Sequence, residues 1–123
     1  MDKEKIQSDL KQFNGSGGIV RHLHPGITPM FITEGCNYVR NECKAFWLFD
    51  AILSYQDDKL LWNVGFQIWT LEEQQNDLTW LLTCKEDSNK PNIIRQKIEY
   101  SDFPLEKLVV WVIDRVALLP SEY

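Results

Sequence analysis

At 123 residues, 44% hydrophobic and 25% charged, the chain has the length and composition of one globular domain, large enough to bury a core without disulfides or a metal. A net charge of −5 argues against nonspecific nucleic-acid binding, which needs a clustered Lys/Arg face. No run of about 18 apolar residues is present, so no membrane span is expected, and the charged start MDKEKIQSDLKQF lacks the apolar core of a secretory signal.

Ile6, Leu10 and Phe13 recur at helical spacing, which predicts a short helix over residues 2–13. Residues 14–18, Asn-Gly-Ser-Gly-Gly, read as a flexible joint inside a single domain spanning 1–123, with the α+β body from residue 19 onward. Ile19–Leu23 is strand-like, His24-Pro25-Gly26 is a turn, and Met30-Phe31-Ile32 is a short strand or the lead-in to a helix. Thr33 is a suitable N-cap, with Glu34 in the first turn where the helix dipole favours a negative charge. The helix is expected to run from Glu34 to about Tyr55 on a stripe of Val39, Cys43, Phe46, Phe49 and Leu53. Trp47, Leu48 and Ile52 widen that stripe, the mark of a central helix covered on more than one side.

After Asp57-Asp58-Lys59 the period changes to two. Residues 62–71, 78–84 and 93–100 read as antiparallel strands joined by polar connections. Leu105–Asp114 fits a helix or the first arm of a hairpin. The β-branched run Val109-Val110-Trp111-Val112-Ile113 and the turn-forming Asp114-Arg115 favour a hairpin closing on Val116–Leu119. The expected fold is α+β in two layers: a long central helix and a short N-terminal helix on an antiparallel sheet of about five strands.

Asp50 is the first candidate site. Its helical neighbours Phe46 and Leu53 both read as core, so it is expected to be a buried carboxylate with hydrogen-bond donors. It would serve as an internal latch or as a general acid or base, the remaining reading being simple exposure at a cleft. His22 and His24 are two apart and share one side of a strand. Two histidines, even with Glu34 or Cys36 near, are a weak metal signal, and no metal site is assigned. A catalytic reading uses His22, Glu34 and Asp50, with Cys36 or Ser54 as nucleophile. The glycines at 15–18 lack the Lys-Ser/Thr of a phosphate loop, and no cofactor is predicted. Cys36, Cys43 and Cys84, odd in number and without CxxC spacing, fit buried, reduced thiols in the cytoplasm. Most of the five tryptophans belong in the core, and Trp69, Trp111 and Tyr123 are candidates for a binding surface. Tyr123 and its α-carboxylate are expected to be tied down by Arg21, Arg40 or Arg95.

Ile32-Thr33-Glu34-Gly35, the stretch AFWLFDAILSYQ (45–56) and the ending LLPSEY (118–123) together resemble a family of small bacterial proteins known as a domain of unknown function. The resemblance implies no catalytic residues and suggests an accessory role carried by mobile elements. The leading expectation is therefore a non-enzymatic cytoplasmic module that binds a protein partner or a second copy of itself. The alternative is a small ligand-binding protein or hydrolase-like enzyme using His22, Glu34 and Asp50.

Overall fold

The computed structural model describes residues 3–13, 19–23, 30–74 and 79–123; the expected Gly/Ser joint and His24 lie outside them. In chain order the elements are α1 (Lys3–Leu10), β1 (Ile19–Leu23), β2 (Met30–Thr33), α2 (Glu34–Glu42), α3 (Phe46–Tyr55), β3 (Phe66–Gln74), β4 (Thr79–Lys85), β5 (Ile94–Ile98), β6 (Lys107–Ile113) and β7 (Val116–Leu118). Short 3-10 turns occupy Lys59–Leu61 and Pro120–Glu122.

The fold is α+β, as expected, but two features differ from the sequence reading. The first is the sheet. Among the described residues it has seven strands in the order β1-β2-β7-β6-β3-β4-β5. It is mixed rather than antiparallel, because β7 returns beside β2 in the same direction, Phe31 opposite Val116 and Ile32 opposite Ala117. The remaining neighbours are antiparallel. The count of seven exceeds the expected five or so: Met30-Phe31-Ile32, left open between a short strand and a helix lead-in, is the strand β2, and the expected hairpin arm at Val116–Leu119 is β7. The C-terminal hairpin forms as the β-branched run suggested. Asp114 and Arg115 both take positive φ, 49° and 68°, which the tight connection between β6 and β7 requires.

The second difference is the helix. The long helix from Glu34 to Tyr55 is two helices, broken at residues 43–45. Lys44 sits at φ 52°, its N–H donates to Asn41 O, and the Ala45 N–H donates to Arg40 O. That pair of bonds is the Schellman arrangement, which usually places glycine where Lys44 stands. The break resets the phase of the second helix. In α3 the residues Leu48, Phe49, Ile52 and Leu53 face the core, whereas Phe46, Asp50 and Ser54 form the solvent stripe. Phe46 is 43% exposed and lies under the Arg40 guanidinium, 4.6 Å from its ring centroid. Asp50 is therefore an exposed residue and not a buried latch. The expectation failed because it took Phe46 as a core residue.

The helices cover one face of the sheet. Trp69, Leu71, Leu82, Cys84, Val110 and Val112 point into this core from the strands, Met30 and Ile32 from β2, and Cys36, Val39, Phe49 and Ile52 from the helices. Gln56 and Gln67, both buried, exchange amide hydrogen bonds at 2.9 Å, and the Trp69 indole donates to Gln67 Oε1 at 2.8 Å. Reciprocal pairing of this kind removes the cost of burying two amides and fixes the end of α3 on β3. The strand expected at residues 62–71 begins later, at Phe66. Asp58 accepts from the Leu60 N–H (2.9 Å) and the Trp62 indole donates to Asp57 O (3.2 Å), which ties residues 57–62 into a turn.

Candidate interaction surface

Burial alternates along β3 and β6, so the side chains opposite the helices are identified by register. One cross-strand row on that open face is Phe66, Ile113, Val116 and Phe31. The next is Lys85, Ile68, Trp111 and Leu118. The third is Arg95, Thr83, Thr70 and Val109, and the fourth Lys97, Leu81, Glu72 and Lys107. The face thus divides into an apolar block over β3, β6, β7 and β2 and a cationic strip over β5 and β4 that reaches Lys107 on β6.

Aromatic rings gather in the block. Phe66 and Trp111 stand 5.1 Å apart between centroids, and Tyr123 meets both edge-on, at 6.4 and 5.6 Å. Phe66 and Trp111 remain partly exposed and Tyr123 is 76% exposed. A hollow of about 460 Å³ opens beside them, lined by Phe66, Ile68, Trp111, Glu86, Asp87 and Ser88. A second, of about 250 Å³, lies among Thr70, Thr83, Lys85 and Lys107 on the cationic strip. A larger groove of about 760 Å³ lies between α1, the start of β6 with the two residues before it, and the turn Leu119–Ser121, and the Lys3–Glu106 ion pair (3.3 Å) crosses it.

Tyr123 is placed by its neighbour. The Glu122 side chain, 2% exposed, turns into the core and accepts three hydrogen bonds: from Thr33 Oγ1 (2.6 Å) and the Leu119 N–H (2.9 Å) at Oε1, and from the Gly35 N–H (2.9 Å) at Oε2. Thr33 is the N-cap of α2, accepting from the Cys36 N–H at 3.4 Å, so the carboxylate lies against the positive end of that helix. The buried carboxylate sought at residue 50 is thus at residue 122. It joins two of the stretches quoted for the family resemblance, Thr33-Glu34-Gly35 and Leu119-Pro120-Ser121-Glu122. The side chain before Tyr123 ties the tail to α2. One sequence signal pointed here: Gly35, one residue into α2, has no helical reason to be glycine.

Glu34 and Asp50 are both exposed, on different helices, and neither side chain makes a hydrogen bond or ion pair among the described residues. His22 is placed by its backbone in β1, opposite Phe31. Trp69, a candidate for a binding surface, is 1% exposed and belongs to the core, whereas Trp111 and Tyr123 are brought together on the open face. Among the described residues no three His, Cys, Asp or Glu side chains cluster as metal ligands would.

All three cysteines are free and buried. Burial pushes each thiol up from its ordinary value of 9.0, Cys43 to about 11 and Cys84 to about 12; Cys36 rises furthest, chiefly by burial and further by the charge of Glu122. The folded protein therefore holds these protons more tightly than the unfolded chain. The resulting stabilisation is complete below pH 9 and is lost as pH rises through 11 and 12, by up to about 1.4 kcal/mol per thiol per pH unit. Urea midpoints are expected to fall steadily above pH 9. At pH 8 iodoacetamide is expected to label the thiols only after urea is added; rapid labelling of the native protein would contradict this burial.

A family model matches residues 4–123, from the first turn of α1 through the Glu122 contacts. The chain belongs to DUF6876, a family of unknown function. In this DUF6876 chain the match takes in both the buried carboxylate's partners and the open face. No curated protein and no solved structure matches it.

Proposed function

We propose that this DUF6876 chain is a non-enzymatic protein-interaction module and that the apolar block of the open sheet face is its contact surface. The carrying observation is the contiguous trio Phe66, Trp111 and Tyr123, partly or largely exposed and backed by Ile68, Ile113 and Val116. Rigid aromatic side chains at the centre of an apolar patch supply most of the binding energy in protein interfaces. Three protonated, buried thiols suit a reducing compartment, so we place the protein in the bacterial cytosol, in an accessory role that acts by binding.

The test is site-specific photocrosslinking. A photoreactive side chain at Ile113, on the open face, is expected to give discrete adducts with a protein in the host cytosol, or with a second copy. The same group at Asp50, on the helical side, is expected to give none. Trp111→Ala should cut the Ile113 adducts at least about fivefold while leaving a folded protein by circular dichroism. Adducts from position 50 alone, or from neither position, would refute the assignment.

A further inference from the structure

The cationic strip beside the apolar block specifies the partner further. Lys85, Arg95, Lys97 and Lys107 line the β4–β5 side of the open face, with Glu72 and Glu99 each beside a lysine there and Glu86 and Asp87 bordering the aromatic hollow. Lys107 stands 3.9 Å from Glu72, and Lys97 stands 3.9 Å from Glu99. The side chains of Lys85 and Arg95 have no hydrogen-bond or ion-pair partner among the described residues. Two cationic side chains without a partner, Lys85 and Arg95, thus stand where the apolar surface ends.

Resting on the interaction reading above, we infer that the open face takes an acidic segment of a partner protein: an apolar or aromatic anchor seated on Phe66, Trp111 and Tyr123, followed by Asp or Glu side chains over Lys85 and Arg95. Spacing sets the pattern. Lys85 lies two strands from Trp111 and Arg95 three, about 10 and 14 Å at the usual strand separation. An extended segment crossing the strands covers that in three or four residues. Electrostatic complementarity of this sort sets partner choice and encounter rate more than affinity. A single-stranded nucleic acid fits less well, because every base carries its own phosphate, which stacking in the hollow would bring against Glu86 and Asp87, whereas an uncharged peptide anchor can sit there with its acids placed further on, over Lys85 and Arg95. In a second copy Glu72 and Glu99 already stand beside Lys107 and Lys97, and Glu86 and Asp87 border the hollow rather than the rim that would meet Lys85 and Arg95.

Two displayed peptide libraries test this on the full chain. Both carry a random apolar anchor; one has Asp or Glu, the other Lys or Arg, at the third to fifth following positions. The acidic library is expected to enrich. Its best peptide, measured by fluorescence anisotropy, should bind at least about tenfold more weakly to Arg95→Glu/Lys97→Glu and lose affinity as salt is raised from about 50 to about 500 mM. It should not bind measurably to Trp111→Ala. Equal enrichment of the basic library, or affinity unchanged in the charge-reversed protein, overturns the acidic partner; if Trp111→Ala still abolishes binding, the open-face reading stands. No enrichment on folded protein, or binding indifferent to Trp111→Ala, overturns both. Tighter binding of a 15-mer oligothymidine, or a dimer by light scattering that Trp111→Ala dissociates, replaces the acidic segment with nucleic acid or a second copy.

Discussion

Glu122→Ala is expected to lower the free energy of unfolding by about 3–5 kcal/mol, read as a drop of roughly 2 M in the urea midpoint. The substitution removes few contacts but strands three donors at once: the Thr33 hydroxyl and the backbone N–H groups of Gly35 and Leu119. Each buried, unpaired donor costs on the order of 1–3 kcal/mol, and α2 also loses the negative charge at its positive end. Glu122→Gln keeps the shape and separates these contributions. All three contacts are donated to the carboxylate, so the amide nitrogen must face at least one N–H or O–H, and a loss of about 2 kcal/mol is expected. A change below about 1 kcal/mol for the alanine variant would mean that the tail does not hold the helix.

Gly35→Ala is the second large effect, and its sign opposes helix propensity. Within an exposed helix, glycine to alanine stabilises by about 1 kcal/mol. Here an added Cβ would stand 2.5 Å from Glu122 Oε1, 2.7 Å from Glu122 Cδ and 2.7 Å from Leu119 Cδ1. The carboxylate is pinned by three bonds and cannot swing aside, so α2 must move away from β7 or release Glu122. A loss of about 3 kcal/mol or more is expected, again from urea midpoints. Because both substitutions act through one contact, Gly35→Ala/Glu122→Ala should cost clearly less than the sum of its parts. Additive costs in that cycle would show that the close approach does not limit the site.

Where local chemistry decides an element, the sequence was readable. Thr33 has the side chain an N-cap needs, Asp114-Arg115 lies between β-branched runs, and strands β3 to β5 alternate visibly. Where a distant contact decides it, the sequence was silent. Lys44 adopts the left-handed conformation without being glycine or asparagine, so the break between α2 and α3 carries no local mark. Phe46 looks like core and is solvent-facing, because an arginine from the preceding helix covers its ring. That one misplaced aromatic put Asp50 inside. Glu122 could not be recognised as buried, since two of its three partners, Thr33 and Gly35, lie 89 and 87 residues earlier. Trp111 and Tyr123 were candidates for a surface, but only strand register shows that they share it with Phe66 and stand beside a row of cations.

The separation between α2 and the carboxylate that caps it has a bearing on biosynthesis. A ribosome adding about 5–20 residues per second delivers Glu122 several seconds or more after Gly35 has been made. Throughout that interval the nascent α2 has its Thr33 cap alone, and β2 lacks the parallel neighbour that β7 provides. The helical layer therefore locks only once β7 and Glu122 have been made.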